Sequence, residues 1–156
     1  MADLDAIDLK ILNLLQRDCS QSVQAIGEAI GLSQTPCWRR IRRLEETGVL
    51  GARVALIKPE KVGLGVTVFV TVKTNHHSEE WLERFAAAVQ EIPEVVEFYR
   101  MTGEVDYLLK ILASGIADYD RIYKKLIHNI ELYDVSASFA MEPLKYTTAV
   151  PLPIPD

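Results

Sequence analysis

Cysteine, histidine and long apolar runs are all scarce in this chain of 156 residues, and each shortage excludes something. Its two cysteines, Cys19 and Cys37, match no metal-ligand spacing and cannot build a disulfide framework, so both read as reduced thiols of a cytoplasmic protein. Of its three histidines, His76 and His77 are adjacent, which makes a poor chelate, and His128 stands alone; no metal is expected. No nucleophile has an adjacent base, and there is no glycine-rich phosphate loop or paired-carboxylate motif, so neither an enzyme nor a cofactor is expected. No apolar run approaches a membrane span, and the N-terminal MADLDAIDLK is acidic where a leader would be basic and then apolar. Positive charge is short as well: 17 Lys and Arg face 22 Asp and Glu, a net charge of −5.

That deficit is unevenly placed. Residues 1–60 carry eight basic side chains (Lys10, Arg17, Arg39, Arg40, Arg42, Arg43, Arg53 and Lys58) and eight acidic ones, whereas residues 61–156 carry nine and fourteen. The first part is therefore neutral overall, with four arginines crowded into positions 39–43, and the second part holds the whole negative excess. Such a split suggests a nucleic-acid reader joined to an acidic module that would repel DNA elsewhere.

The crowded segment, SQTPCWRRIRRLEET from Ser33 to Thr47, has helical spacing. Cys37, Ile41 and Leu44 fall at i, i+4 and i+7 and form one buried stripe. At about 100° per residue, Thr35, Arg39, Arg42 and Glu46 lie opposite, with Trp38, Arg40 and Arg43 on the flanks. Ser33 or Thr35 can cap the start, and Pro36 suits a first turn. Taken alone, such a helix is equally a solvated basic face. The preceding IGEAIGL changes the balance: Ile26, Ala29 and Ile30 form the apolar side of a short helix, Gly31 ends it in the left-handed conformation, and Leu32 plugs the corner. This is a helix-turn-helix, whose second helix suits the major groove of double-stranded DNA. The expected DNA-contacting residues are Ser33, Gln34, Thr35, Trp38, Arg39, Arg40, Arg42 and Arg43, with Trp38 open to the alternative of packing.

In chain order, Leu4–Arg17 is an amphipathic helix capped by Asp3 or Asp5, with Leu4, Ile7, Ile11, Leu14 and Leu15 inward. Ser22 caps the second helix, and Gly48 ends the third. Residues 49–57, VLGARVALI, read as one strand or a small wing carrying Arg53, and Lys58–Lys61 with Gly63 marks a boundary. The expected domains are residues 1–50, a linker strand at 51–63, and residues 64–156. In the last of these, Val66–Lys73 alternates as a strand. Ser78 caps a helix lined by Trp81, Phe85, Ala88, Val89 and Ile92 and stopped by Pro93. Val95–Met101 and Val105–Ala113 are strands flanking a turn at Thr102–Glu104. A helix from about Ala117 to Asn129 turns Tyr119, Ile122, Tyr123, Leu126, Ile127 and Ile130 inward, and a strand runs from Val135 to about Pro143. The fold class is thus α+β: a winged helix-turn-helix followed by a ferredoxin-like βαββαβ sandwich. The sandwich leaves one sheet face bare. Phe69, Phe98, Leu108, Leu112 and Ala140 take one phase, and Val68, Val70, Tyr99, Leu109, Ile111, Phe139 and Met141 the other. Both faces are too apolar for water, so a homodimer is expected, sheet against sheet, which would set two reading helices about one DNA turn apart.

The segments IDLKIL, LSQTPCWRRIRRLEETGVL, MTGEVDYLLK and SASFAMEPLKYTTAVPL, in that order, resemble the Lrp/AsnC (leucine-responsive, or feast/famine) regulators along essentially the entire chain. The resemblance implies a C-terminal domain that binds small effectors, usually amino acids, and assembles dimers into larger rings, often octamers. It also implies an effector site at the Gly-x-x-Asp turn, Gly103 to Asp106. Here Thr102, Gly103, Glu104 and Val105 would offer backbone groups to a carboxylate and Asp106 would accept from an ammonium, with Ser136 and Ser138 as neighbours. On the residues alone, Thr102–Glu104 is equally a plain hairpin turn. Gln34 departs from the family, where Pro is frequent. TPCWRRI and EFYRMTGEVDYLL are similar to a branch that includes sensors of sulfur amino acids such as cysteine. An architectural DNA-binding protein without an effector is the alternative.

Overall fold

Asp5 starts the first helix in a computed structural model that describes residues 4–76, 78–128, 130 and 132–153. Its carboxylate accepts the Asp8 N–H at 2.8 Å, and the Asp8 carboxylate accepts the Asp5 N–H at 3.1 Å, a reciprocal cap that fixes where α1 (Ala6–Leu15) begins. Asp3, the alternative cap, lies outside the described residues, as do His77 and Asn129. Ser22 caps α2 (Val23–Ile30) by accepting the Ala25 N–H at 3.1 Å, and Gly31 closes it at φ 74°. The turn is tight because Gly27 has no side chain: a Cβ there would stand 2.6 Å from the Leu32 carbonyl oxygen. Then α3 (Gln34–Glu46) begins at Ser33, whose hydroxyl makes no cap bond, with Pro36 in the first turn.

The three helices bury Ile11, Leu12, Leu15, Ile26, Cys37, Ile41 and Leu44 together, so the expected stripe on α3 is the one that packs. On α1 the expected Ile11 and Leu15 are buried and Leu4, Ile7 and Leu14 pack on the core partly buried, with Asp8, Leu9 and Leu12 buried beside them. One expectation is corrected. On α2 Gly27 takes the place expected of Ala29, which is exposed, because the close approach of Leu32 demands the smallest residue.

Residues 51–58 form no strand ladder, so the expected wing and linker strand are absent within this chain; a single 3-10 turn, Pro59–Val62, follows. Among the described residues no strand lies beside the segment to pair with, and Arg53 instead reaches Glu45 of α3 at 2.9 Å.

The chain divides into two compact units, one up to Ala55 with the tail from Lys145, the other Leu56–Leu144. The tail was expected with the second unit. It joins the helices because the Gln16 side-chain amide satisfies both backbone groups of Val150, at 2.8 and 3.1 Å, and Leu152 packs on the helical core.

The second unit contains β1 (Val66–Lys73), α4 (Glu79–Gln90), β2 (Val95–Arg100), β3 (Tyr107–Ala113), α5 (Ile116–Ile127) and β4 (Asp134–Phe139). Its sheet is antiparallel in the order β2-β3-β1-β4, a ferredoxin-like sandwich. Val68, Val70, Val72, Tyr107, Leu109 and Ile111 form the covered face, against Trp81, Phe85 and Val89 of α4 and Ile122 and Leu126 of α5. A register irregularity between Val95 and Glu97 reverses the expected phase of β2: Phe98 joins the core, edge-on to Phe85 at 5.3 Å, and Tyr99 faces outward. The last strand stops at Phe139, leaving Met141 fully exposed, and Ile127 is more exposed than expected.

Candidate nucleic-acid interface and ligand turn

Burial of Cys37, Ile41 and Leu44 decides which way the rest of α3 faces. Ser33, Gln34, Thr35, Trp38, Arg39 and Arg42 are all exposed. The Arg42 guanidinium lies 5.9 Å from the centroid of the Trp38 ring, and one of its nitrogens is 3.5 Å from Glu46. An exposed i, i+4 pair contributes little, so Arg42 is preset in direction yet available to another anion. Trp38 keeps half its surface exposed and is not a core residue.

Arg40 and Arg43 are placed differently. Arg40 Nη1 lies 2.7 Å from Asp5 and 2.9 Å from Asp8, and Arg43 Nη2 also pairs with Asp8. The Asp8 side chain has no exposed surface at all. Two of the four arginines therefore turn back to fasten α3 to α1. A signal for this lay in the sequence: Asp8 stands at i−4 from Leu12 and i−7 from Leu15, on the buried stripe of α1, where a carboxylate needs a cation.

The Asp8 N–H and the Arg40 hydrogen bond hold the Asp5 carboxyl below the usual aspartate range. A group lowered in this way contributes stability that is present above its unfolded pKa and lost as pH falls through its folded one. The helical unit is thus expected to lose stability on acidification below about pH 4. In Asp5→Asn, which keeps the cap acceptor but not the charge, far-UV circular dichroism should show a smaller loss over that interval; an unchanged acid limb would remove Asp5 from the effect. Burial raises the Cys37 thiol, which keeps it neutral and unreactive.

The second candidate site is the turn between β2 and β3. Thr102, Gly103 and Glu104 are exposed, Val105 and Asp106 half-buried, and Gly103 has φ 113°, a conformation that strains any other residue. The Met101 N–H donates to the Asp106 carbonyl at 2.8 Å, and the Asp106 N–H to Val72 at 3.0 Å, so the sheet ladder holds the turn at both ends. Asp106 Oδ2 accepts the N–H of buried Thr74 at 2.8 Å; Oδ1 has no hydrogen-bond partner among the described residues. The expected neighbours Ser136 and Ser138 are exposed on edge strand β4, opposite Thr71 and Phe69, with β1 between them and Asp106. The protomer does not gather them into one pocket. A cleft of about 550 Å³ lies elsewhere, on the helical side, lined by Ala88, Glu91, Ile92, Lys124, Lys125 and His128; nothing in the sequence pointed to it.

Residues 4–45 match the AsnC-type helix-turn-helix domain, and residues 67–150 match the Lrp/AsnC ligand binding domain. The DNA-binding transcriptional activator DecR of Escherichia coli is 53% identical over 150 residues, covering 96% of this chain and 99% of that protein. An AsnC family transcriptional regulator from Agrobacterium tumefaciens superposes with a TM-score of 0.92 at 55% identity, covering 95% of this chain and 97% of that one. A transcriptional regulator from Neisseria meningitidis, solved as a complex with L-Met, superposes with a TM-score of 0.90 at 33% identity, covering 96% and 97%. The two domain matches follow the two units in order, the second running on into the tail as far as residue 150, and the relatives along the whole chain agree with them: the chain belongs to the Lrp/AsnC family of DNA-binding transcriptional regulators.

Proposed function

We propose that α3 reads the major groove through Ser33, Gln34, Thr35 and Trp38, with Arg39 and Arg42 on phosphates, as an amino acid bound at the 102–106 turn modulates that reading. The observation that carries the first half is the exposure of Gln34, Thr35, Trp38, Arg39 and Arg42 on one side of α3, with exposed Ser33 just before it, while Arg40 and Arg43 are held by Asp5 and Asp8. For the second half the support is the turn itself: strained at Gly103, anchored at both ends, and ending in a carboxylate with one oxygen unengaged. That oxygen suits an α-ammonium, and backbone N–H groups of the turn suit an α-carboxylate. The relative crystallised with L-Met favours a sulfur amino acid.

The open sheet face supports the assembly. Thr67, Phe69, Thr71, Tyr99, Leu108, Leu112, Ser136 and Ser138 lie on it, around a Lys110–Glu97 ion pair at 2.8 Å. A single-layer sheet with this many apolar side chains outward is covered by a second copy, and dimers assemble further, to an octamer, so that a neighbouring dimer completes the ligand site that one protomer leaves open. The protein acts in the cytoplasm as a binding protein and not as an enzyme; among the described residues no helix is long and apolar enough to cross a membrane.

A thermal-shift screen against the common amino acids tests the effector, since a ligand that binds only the folded form raises the midpoint. Asp106→Asn keeps an acceptor for Thr74 and removes the charge. Its expected result is a folded protein whose ligand affinity falls about tenfold or more, the scale of one charge-assisted bond. A full ligand response in that variant would place the pocket elsewhere, and no response to any amino acid in the parent would favour an architectural role.

A further inference from the structure

We infer that Asp8 is a positioning residue for DNA recognition: from beneath the reading helix it holds α3 in place and withholds Arg40 and Arg43 from DNA, so that α3 offers two phosphate-binding cations instead of four. The inference rests on α3 being the reading helix.

Its basis is the burial asymmetry of the cluster. The Asp8 side chain has 0% exposure, while that of Arg40 keeps 28% and that of Arg43 keeps 50%. Asp5 completes the group at 2.7 Å from Arg40, so two arginines and two aspartates cancel. A phosphate approaching Arg40 or Arg43 would have to draw it from a carboxylate that water cannot reach, leaving one of its two buried oxygens without a cation. Arg42 faces no such obstacle, since Glu46 is two-thirds exposed and resolvates freely. Non-specific affinity grows with the number of phosphates neutralised, whereas base contacts come from the helix's N-terminal residues. Removing two cations from that count lowers affinity for every sequence alike, and the ratio of specific to non-specific binding is then left to how well the base-reading residues are held. The same bonds pin the middle of α3 to α1, so Asp8 also positions the base-reading end.

The test compares Arg42→Ala, Arg43→Ala and Asp8→Asn in the full-length protein. Each is titrated with salt on a duplex selected in vitro by the parent and on a scrambled duplex. Arg42→Ala should reduce the slope of log K against log salt by about one per protomer, whereas Arg43→Ala, which leaves Asp8 paired with Arg40, should leave the slope unchanged. Asp8→Asn should steepen it by about one to two per protomer, tighten binding to the scrambled duplex several-fold, and lower the specificity ratio. A merely loosened domain would bind both duplexes more weakly. If Arg42→Ala and Arg43→Ala both flatten the slope, or if folded Asp8→Asn leaves it unchanged, the inference is wrong although α3 still reads DNA. If Arg42→Ala has no effect, the reading helix itself is misassigned and the inference falls with it. Should Asp8→Asn not fold, the Arg43→Ala arm alone decides.

Discussion

Replacing Arg39 and Arg42 together by alanine is expected to weaken binding to duplex DNA about 100-fold per protomer near physiological salt, and to flatten the salt dependence by about two units. Each lost charge-assisted contact removes about 1.5 kcal/mol, and two together make about two decades in affinity. The fold should not register the change. Both side chains are exposed, off the Cys37–Ile41–Leu44 stripe, Arg42 engages only Glu46 and the Trp38 ring among the described residues, and alanine favours a helix. Affinity should therefore fall at unchanged helical content and unchanged melting midpoint. An equal fall on selected and scrambled duplexes would mark the two arginines as phosphate contacts, and a larger fall on the selected duplex would mark one of them as a base contact. Retained affinity would move the interface off α3. The acidic balance of residues 61–156 makes rescue by another surface improbable on electrostatic grounds, since the reader is the part of the chain in which positive charge is concentrated.

What could be read from the residues follows from what each signal depends on. Helix positions and the sandwich order depended on local periodicity, and those elements stand within a few residues of their expected ends. Where a position depended on what lies across from it, periodicity was blind. The face of Phe98 and Tyr99 reversed because a bulge between Val95 and Glu97 adds one step to a two-step repeat. The 49–57 segment has a strand-like composition but no neighbouring strand among the described residues. The tail from Lys145 is rich in proline and carries no periodic signal; its attachment depends on a side-chain amide 134 residues earlier. At the site, the basic helix was legible as a whole, but its four arginines could not be sorted without the partner helix, because Asp8 pairs with residues more than 30 positions away. The 102–106 turn was marked by Gly103, while Ser136 and Ser138 came with the family resemblance and lie on β4, across β1 from Asp106.

The largest change is expected from charging the open sheet face. Phe69→Glu combined with Leu108→Glu should convert the assembly to monomers, read by sedimentation or light scattering. Phe69 sits beside Ser138 and Lys110, and Leu108 beside Thr71 and Tyr99, all directed away from the Trp81–Phe85–Tyr107 core. In the isolated protomer both glutamates remain in water, one beside the Lys110 ammonium, so the cost of folding is small. Against a second sheet four carboxylates would be buried per dimer without counter-ions, which no apolar contact of this size offsets. Binding to a duplex with two half-sites should then fall by about 10² to 10⁴, because the second reading helix no longer arrives at the effective concentration that a shared sheet interface provides. Binding to a single half-site should barely change, since α3 and its anchor to α1 are untouched. That contrast separates lost pairing from a damaged reader, and a double variant that still sediments as the parent does would mean that copies of this chain meet through some other surface.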